Sequence, residues 1–336
     1  MKIFFLTVTV FIQFLSTHAM ANVLYEGWFE VVLGQHKVGY LVERYEFTGE
    51  KFKSTYYLKT NADGGNITES LKAFAANDLS PLSYSYTAKV DKDIKVIDAT
   101  FTDPNPDCKP DKVRKGQECK PLVMTATIND GKKESKSITR VKKGSIVSTF
   151  LLYLIMSQKN GLAEGNDYSY FAVAEEDTNV YSGTAKVSTL EKVKGRDAFK
   201  ILNSFKGENF FTWITPKGEI LLTRSPDKNI DVRTVDGQAE ATKGMAYNAQ
   251  DIQLLFNKKI PGENSISNQR DDKEQLAPKQ SAAQKTEEKK KKLFEKHPVK
   301  EGKKAGVPGG LGIEIKGIPP PPSTGSVPAE PSSPEK

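Results

Sequence analysis

The stretch from Gly144 to Leu162, GSIVSTFLLYLIMSQKNGL, limits what this chain can fold into more than any other. It is the one long apolar run beyond the leader-like start that reads better as helix than as strand. Sequence on either side of it, as far as about Gln250, reads as short strands. Val147, Phe150, Leu151 and Leu154 repeat at i, i+3, i+4 and i+7, and Leu152, Ile155 and Met156 widen that stripe almost to the whole circumference. Ser145 stands where an N-cap belongs, Lys159 in the last turn and Gly161 at C′. These signals predict a buried helix over 145–160, with β-branched Ile146, Val147 and Thr149 keeping a buried strand as the alternative. A helix apolar on nearly every side must be enclosed. The predicted fold class is therefore mainly β: a curved antiparallel sheet or open barrel wrapped around one core helix.

Three parts follow from composition. Met1-Lys2, the apolar IFFLTVTVFIQFL and the small-residue Ala19-Met20-Ala21 site read as a signal peptide over 1–21, with cleavage near Ala21. The expected location is periplasmic or secreted, with no transmembrane span in the mature chain. An uncleaved anchor is the alternative, although the run is shorter than the ~20 residues of a full span. Residues 22–258 form the expected β domain. From Lys259 the chain turns to Lys, Glu, Gln, Ser and Pro, ending in IPPPPSTGSVPAEPSSPEK. The segment 259–336 lacks the apolar surface to offset chain entropy and reads as a disordered tail, either simply solvated or a flexible tether. The net charge of +7 is spread over lysines interleaved with acids, with no basic-aromatic cluster, and so does not suggest a nucleic-acid partner.

The two cysteines, Cys108 and Cys119, close a short loop between predicted strands. In an oxidising compartment this spacing predicts a structural disulfide rather than a redox pair, being far from C-x-x-C. No metal site or cofactor is expected. His36, in a predicted hairpin turn, is the one histidine of the folded part, and no G-x-S-x-G, H-E-x-x-H, phosphate-binding loop or calcium loop is present. The acids Glu175-Glu176-Asp177 read as a hydrated turn, with calcium or glycosidase chemistry as the remote alternative. No catalytic residues are assigned, and the chain is expected not to be an enzyme.

Turn signals delimit about a dozen strands. They include Leu33-Gly34-Gln35, Thr48-Gly49-Glu50, the Asp63-Gly64-Gly65-Asn66 break, Asn129-Asp130-Gly131 and Lys194-Gly195-Arg196-Asp197. Tyr84, Tyr86, Ala88 and Val90 alternate with Ser83, Ser85, Thr87 and Lys89, one face buried and one wet. The segment AQDIQLLF reads as a weak strand or a short helix. Trp28, Tyr40, Tyr84, Tyr86, Phe150, Leu151, Leu154 and Trp213 are the candidate residues of an apolar cavity inside the sheet. If the helix fills that space they are core; if it covers only part, an acyl chain has room beside it.

Two segments resemble a known group: WFEVVLGQHKVGY from Trp28 to Tyr40, and Gly161-Leu162 with Gly165 followed by FTWITPKGEIL from Phe211. They are similar to uncharacterised β-rich secreted domains of Gram-negative bacteria, some of which precede transglutaminase-like domains. The resemblance implies the open-barrel shape of lipoprotein-localisation proteins and transfers no catalytic residue. The function expected is that of a non-enzymatic periplasmic cell-envelope protein, a binding or interaction module tethered by its tail, with an envelope protein or lipid as partner. The alternative is a carrier of a lipid or lipoprotein acyl chain in an apolar concavity.

Overall fold

Turn chemistry cuts the chain into strands much as the sequence suggests. At the Lys194-Gly195 corner both residues take positive φ, 50° and 78°, the pair a two-residue hairpin turn demands. At the Asn129-Asp130-Gly131 corner the Asp130 carboxylate accepts the backbone N–H groups of Lys132 and Lys133. The computed structural model describes residues 22–109, 112, 118–158 and 161–266, all within a unit spanning 1–281. The expected signal peptide, Lys159 and residues 267–336 of the expected tail lie outside the described residues.

The first meander runs β1 (Asn22–Leu33), β2 (His36–Phe47), β3 (Lys51–Thr60), β4 (Ile67–Ala76), β5 (Pro81–Val90), β6 (Asp93–Thr102), β7 (Leu122–Asn129) and β8 (Glu134–Val141). A two-residue strand β9 (Ile146–Val147), a 3-10 turn Ser148–Phe150 and helix α1 (Leu151–Ser157) come next. The second meander is β10 (Asp167–Val173), β11 (Val180–Val193), β12 (Arg196–Phe205), β13 (Glu208–Ile214), β14 (Ile220–Ser225) and β15 (Ile230–Thr234). Helices α2 (Gln238–Thr242) and α3 (Ala249–Leu255) and a short β16 (Ser265–Ile266) end the described part. The fold is mainly β, one large open curved sheet whose meanders join where β1 pairs antiparallel with β15, Phe29 opposite Thr234 and Leu33 opposite Ile230. The sheet ends at β8 on one side and β9 on the other. Cys108 and Cys119 are bonded, in the connection from β6 to β7.

The predicted core helix is present but shorter than 145–160. Ile146 and Val147 are extended and pair parallel with Ala172 and Val173 of β10. The alternative strand reading thus holds for those two residues, whose branched side chains suit a pleated edge. Ser145 does not cap the helix; its hydroxyl donates to the Lys142 carbonyl at 2.6 Å. At the other end Gln158 is extended, so Gly161, although left-handed at φ 51°, lies past the helix. The resulting plug is 7 residues long and packs on the concave face of the sheet. The Tyr153 ring sits 4.9 Å from Tyr45 and 5.6 Å from Phe52 between centroids.

The opposite face of the sheet is also covered, which the alternation pattern did not reveal. Adjacent residues Trp28 and Phe29 are 0% and 1% exposed because β1 is buried on both sides. Trp28, Tyr40, Val42 and Tyr57 form a second core with Val235, Ala241 of α2 and Ile252 of α3. The segment after Lys259 is held here, correcting the expected boundary at 258. Trp28 Nε1 donates to the Pro261 carbonyl at 3.0 Å, and its backbone N–H donates to Asn264 Oδ1 at 2.6 Å. Strand β16 then pairs with β1 at Tyr25 and Glu26. AQDIQLLF is helix rather than strand, its first turn capped by Asn248 accepting from the Asp251 N–H.

Candidate functional site

A cavity of about 660 Å³ is bordered not by α1 itself but by Ser148 and Thr149 of the 3-10 turn that leads into it, together with the inward faces of the surrounding strands. Strand alternation decides its walls. Odd-numbered positions of β1, those of β2 from Leu41 onward and even-numbered ones of β3 and β15 point inward, so Val31 faces across to Val232, Leu33 to Ile230 and Leu41 to Leu58, while Val38 joins the lining where the β1–β2 register shifts. Tyr56 and Ile67 extend the same apolar wall. The remaining edge comes from Ser148 and Thr149 at the start of the plug and from Glu175 and Glu176 in the turn between β10 and β11. A volume of this size lies within the roughly 300–1,000 Å³ range of small-molecule sites.

That edge is fixed by a hydrogen-bond network. Both carboxylate oxygens of Glu175 are engaged: the Ser148 hydroxyl donates at 2.6 Å and the Thr149 N–H at 3.0 Å. On the other side the Thr149 hydroxyl meets that of Ser54 at 2.8 Å, and the Tyr45 hydroxyl donates to the Thr149 carbonyl at 3.1 Å. The plug is thereby pinned between β2–β3 and the β10–β11 turn. Glu175 is 5% exposed, and burial pushes its carboxyl up to about 7 although the Ser148 and Thr149 bonds pull the other way. The expectation of a hydrated acidic turn therefore fails at Glu175. Its neighbours Glu176 and Asp177 instead form ion pairs with Lys206, which hold that lysine above its usual range against the opposing effect of burial.

Two further acids face inward from strands. Glu43 on β2 lies opposite Tyr56 of β3, and Glu69 on β4 lies opposite Leu58. Burial raises Glu69, while the hydrogen bond from the Tyr86 hydroxyl lowers it. Among the described residues, no group of three or more His, Cys, Asp or Glu is arranged to hold a metal ion, and no helix is long and apolar enough to cross a membrane.

None of the eight residues expected to line a cavity lines this one. Trp28 and Tyr40 belong to the second core on the far side of the sheet, and Trp213 to a small cluster with Ala198 and Leu221. Tyr84, Tyr86 and Phe150 are packed in the main core, while Leu151 and Leu154 lie half-buried against it. Leu151 also borders a neighbouring pocket of about 410 Å³ with Tyr170, Phe205 and Lys206. The actual lining is aliphatic and acidic, and its signal was an acid at an inward strand position: Gly39, Leu41 and Glu43 share one face of β2.

No protein-family model matches this chain, and no curated protein matches it significantly. Among solved structures it is similar to the crystal structure of a β-barrel-like protein of Domain of Unknown Function DUF1849 from Brucella abortus. The two are 11% identical with a TM-score of 0.42, the match covering 63% of this chain and 96% of that one.

Proposed function

We propose that this protein is an exported binding protein of the cell envelope that holds the apolar chain of an amphiphilic ligand on the concave side of its sheet, acting by binding and not by catalysis. The observation that carries this reading is the cavity of about 660 Å³ with a largely aliphatic wall on the inward faces of the strands. Its wall of Val31, Leu33, Leu41, Leu58, Ile230 and Val232 offers an acyl or alkyl chain continuous apolar contact. The bonded Cys108–Cys119 pair supports an oxidising compartment. Between the interaction module and the carrier expected from sequence, the open cavity favours the carrier.

Displacement of an environment-sensitive apolar fluorophore tests the reading. Leu58→Trp places a large ring in the cavity and should weaken fluorophore binding by about tenfold or more, equivalent to about 1.4 kcal/mol. A variant that folds with the wild-type unfolding midpoint and binds undiminished would overturn the assignment.

A further inference from the structure

A pocket that takes an amphiphile must also receive the polar end of that molecule, and the side chains around it decide which polar end is tolerated. Five carboxylates line this cavity, Glu43, Asp63, Glu69, Glu175 and Glu176, and among the described residues no lysine, arginine or histidine does. In a chain whose net charge is +7, this reverses the sign of the molecule as a whole. The acids arrive from separate elements: β2, the 3-10 turn after β3, β4 and the β10–β11 turn. Lys206 offsets Glu176, and the Lys95 ammonium donates to the Glu176 backbone carbonyl, but neither lysine borders the cavity. Glu69 is engaged by a neutral donor, the Tyr86 hydroxyl, which leaves its negative charge in place when ionised, whereas burial favours the uncharged form of Glu175, so the negative field is carried by the other acids of the lining.

Beside low-dielectric aliphatic walls, like charges repel and opposite charges attract more strongly than in water. A fatty-acid carboxylate or a phosphate would enter a field of its own sign; an ammonium would not. We infer that the cavity selects amphiphiles with a cationic polar end, alkylammonium or amine-bearing lipids, over anionic lipids of the same chain length. This rests on the cavity being a site for an apolar chain.

The test is competition for the bound fluorophore on the full chain, at neutral pH and low salt, with dodecylammonium, dodecanoate and uncharged dodecanol below their aggregation limits. Dodecylammonium should bind at least about tenfold more tightly than dodecanoate, with dodecanol between them, and added salt should narrow the gap. Glu69→Gln keeps an acceptor for the Tyr86 hydroxyl and should cut the ammonium-to-carboxylate ratio by about threefold or more. Glu43→Gln should do the same and serves if the first variant does not fold. Equal binding of the two ions, tighter binding of dodecanoate, or an unchanged ratio in both variants overturns charge selection while leaving the cavity as an apolar site. Failure of all three compounds to compete overturns the cavity reading, and charge selection falls with it.

Discussion

Replacing Glu175 by Gln should make the protein more stable at neutral pH and nearly indifferent at acid pH. The Gln amide is close in shape to the carboxyl. Its oxygen can accept the Thr149 N–H and its NH₂ can donate to the Ser148 hydroxyl, which turns to accept, so the pinning of the plug survives. What disappears is the cost of ionising a buried acid. Burial raises this carboxyl from an ordinary 4.5 to about 7, which corresponds to about 3 kcal/mol. Below pH 4.5 the group is protonated in both folded and unfolded chains and contributes no difference. Between 4.5 and 7 the unfolded chain releases the proton while the folded chain keeps it, so stability falls as pH rises through that window, then levels off.

The difference between Gln variant and wild type should therefore grow by about 3 kcal/mol from about pH 4.5 to about pH 8. At about 2–4 °C per kcal/mol for a domain of this size, that is a melting-temperature gap widening by about 6–12 °C. Urea unfolding followed by tryptophan fluorescence at several pH values gives the comparison, and taking the difference cancels every other titrating group. Parallel stability curves for the two proteins between pH 5 and pH 8, or a gap that widens towards acid, would refute the claim that Glu175 is held protonated by burial.

Extending a bound n-alkyl chain by one methylene should tighten binding by about 0.8 kcal/mol, roughly fourfold, until the cavity is full; a flat series measured by fluorophore competition would argue against an apolar site. Trp28→Ala should cost about 3–5 kcal/mol in urea unfolding, because it empties the centre of the second core and removes the anchor of the 261–266 segment; a loss under about 1 kcal/mol would contradict that role. Reducing the Cys108–Cys119 bond, which closes a loop with a sequence separation of 11, should lower guanidinium stability by up to about 3 kcal/mol, read as the midpoint shift with and without a reductant. Gly39→Ala should destabilise by about 1–3 kcal/mol, since an added Cβ would sit 2.4 Å from the Lys59 carbonyl oxygen; unchanged thermal unfolding would refute it.

The hairpin corners, the period-2 faces and the cysteine bridge were legible in the sequence because each depends on a few neighbouring residues. The plug was legible as an enclosed apolar segment but not in its length, which was settled by competition between helix and a parallel pairing of Ile146 and Val147 with β10. The second core was hidden for a different reason. A strand covered on both faces loses its alternation, so Trp28 and Phe29 look like one apolar block although they point to opposite sides. The cavity was misplaced because aromatic residues were expected to mark it, whereas aromatics pack the cores and aliphatic residues with inward acids line the open space. Glu175 gave no local sign of burial; its surroundings come from Ser148 and Thr149, in the connection that leads into α1.

The seam between β1 and β15 carries a consequence for biosynthesis. Some two hundred residues of chain separate Val31 from Val232, so one margin of β1 stays without its partner until nearly the whole described sheet has been made. During that interval an uncovered row of peptide groups, flanked by Trp28 and Phe29, is open to mispairing with another nascent chain. Assembly of this protein should accordingly be slow and sensitive to concentration, and helpers that shield strand margins while the chain folds should matter more to its yield than to its finished stability.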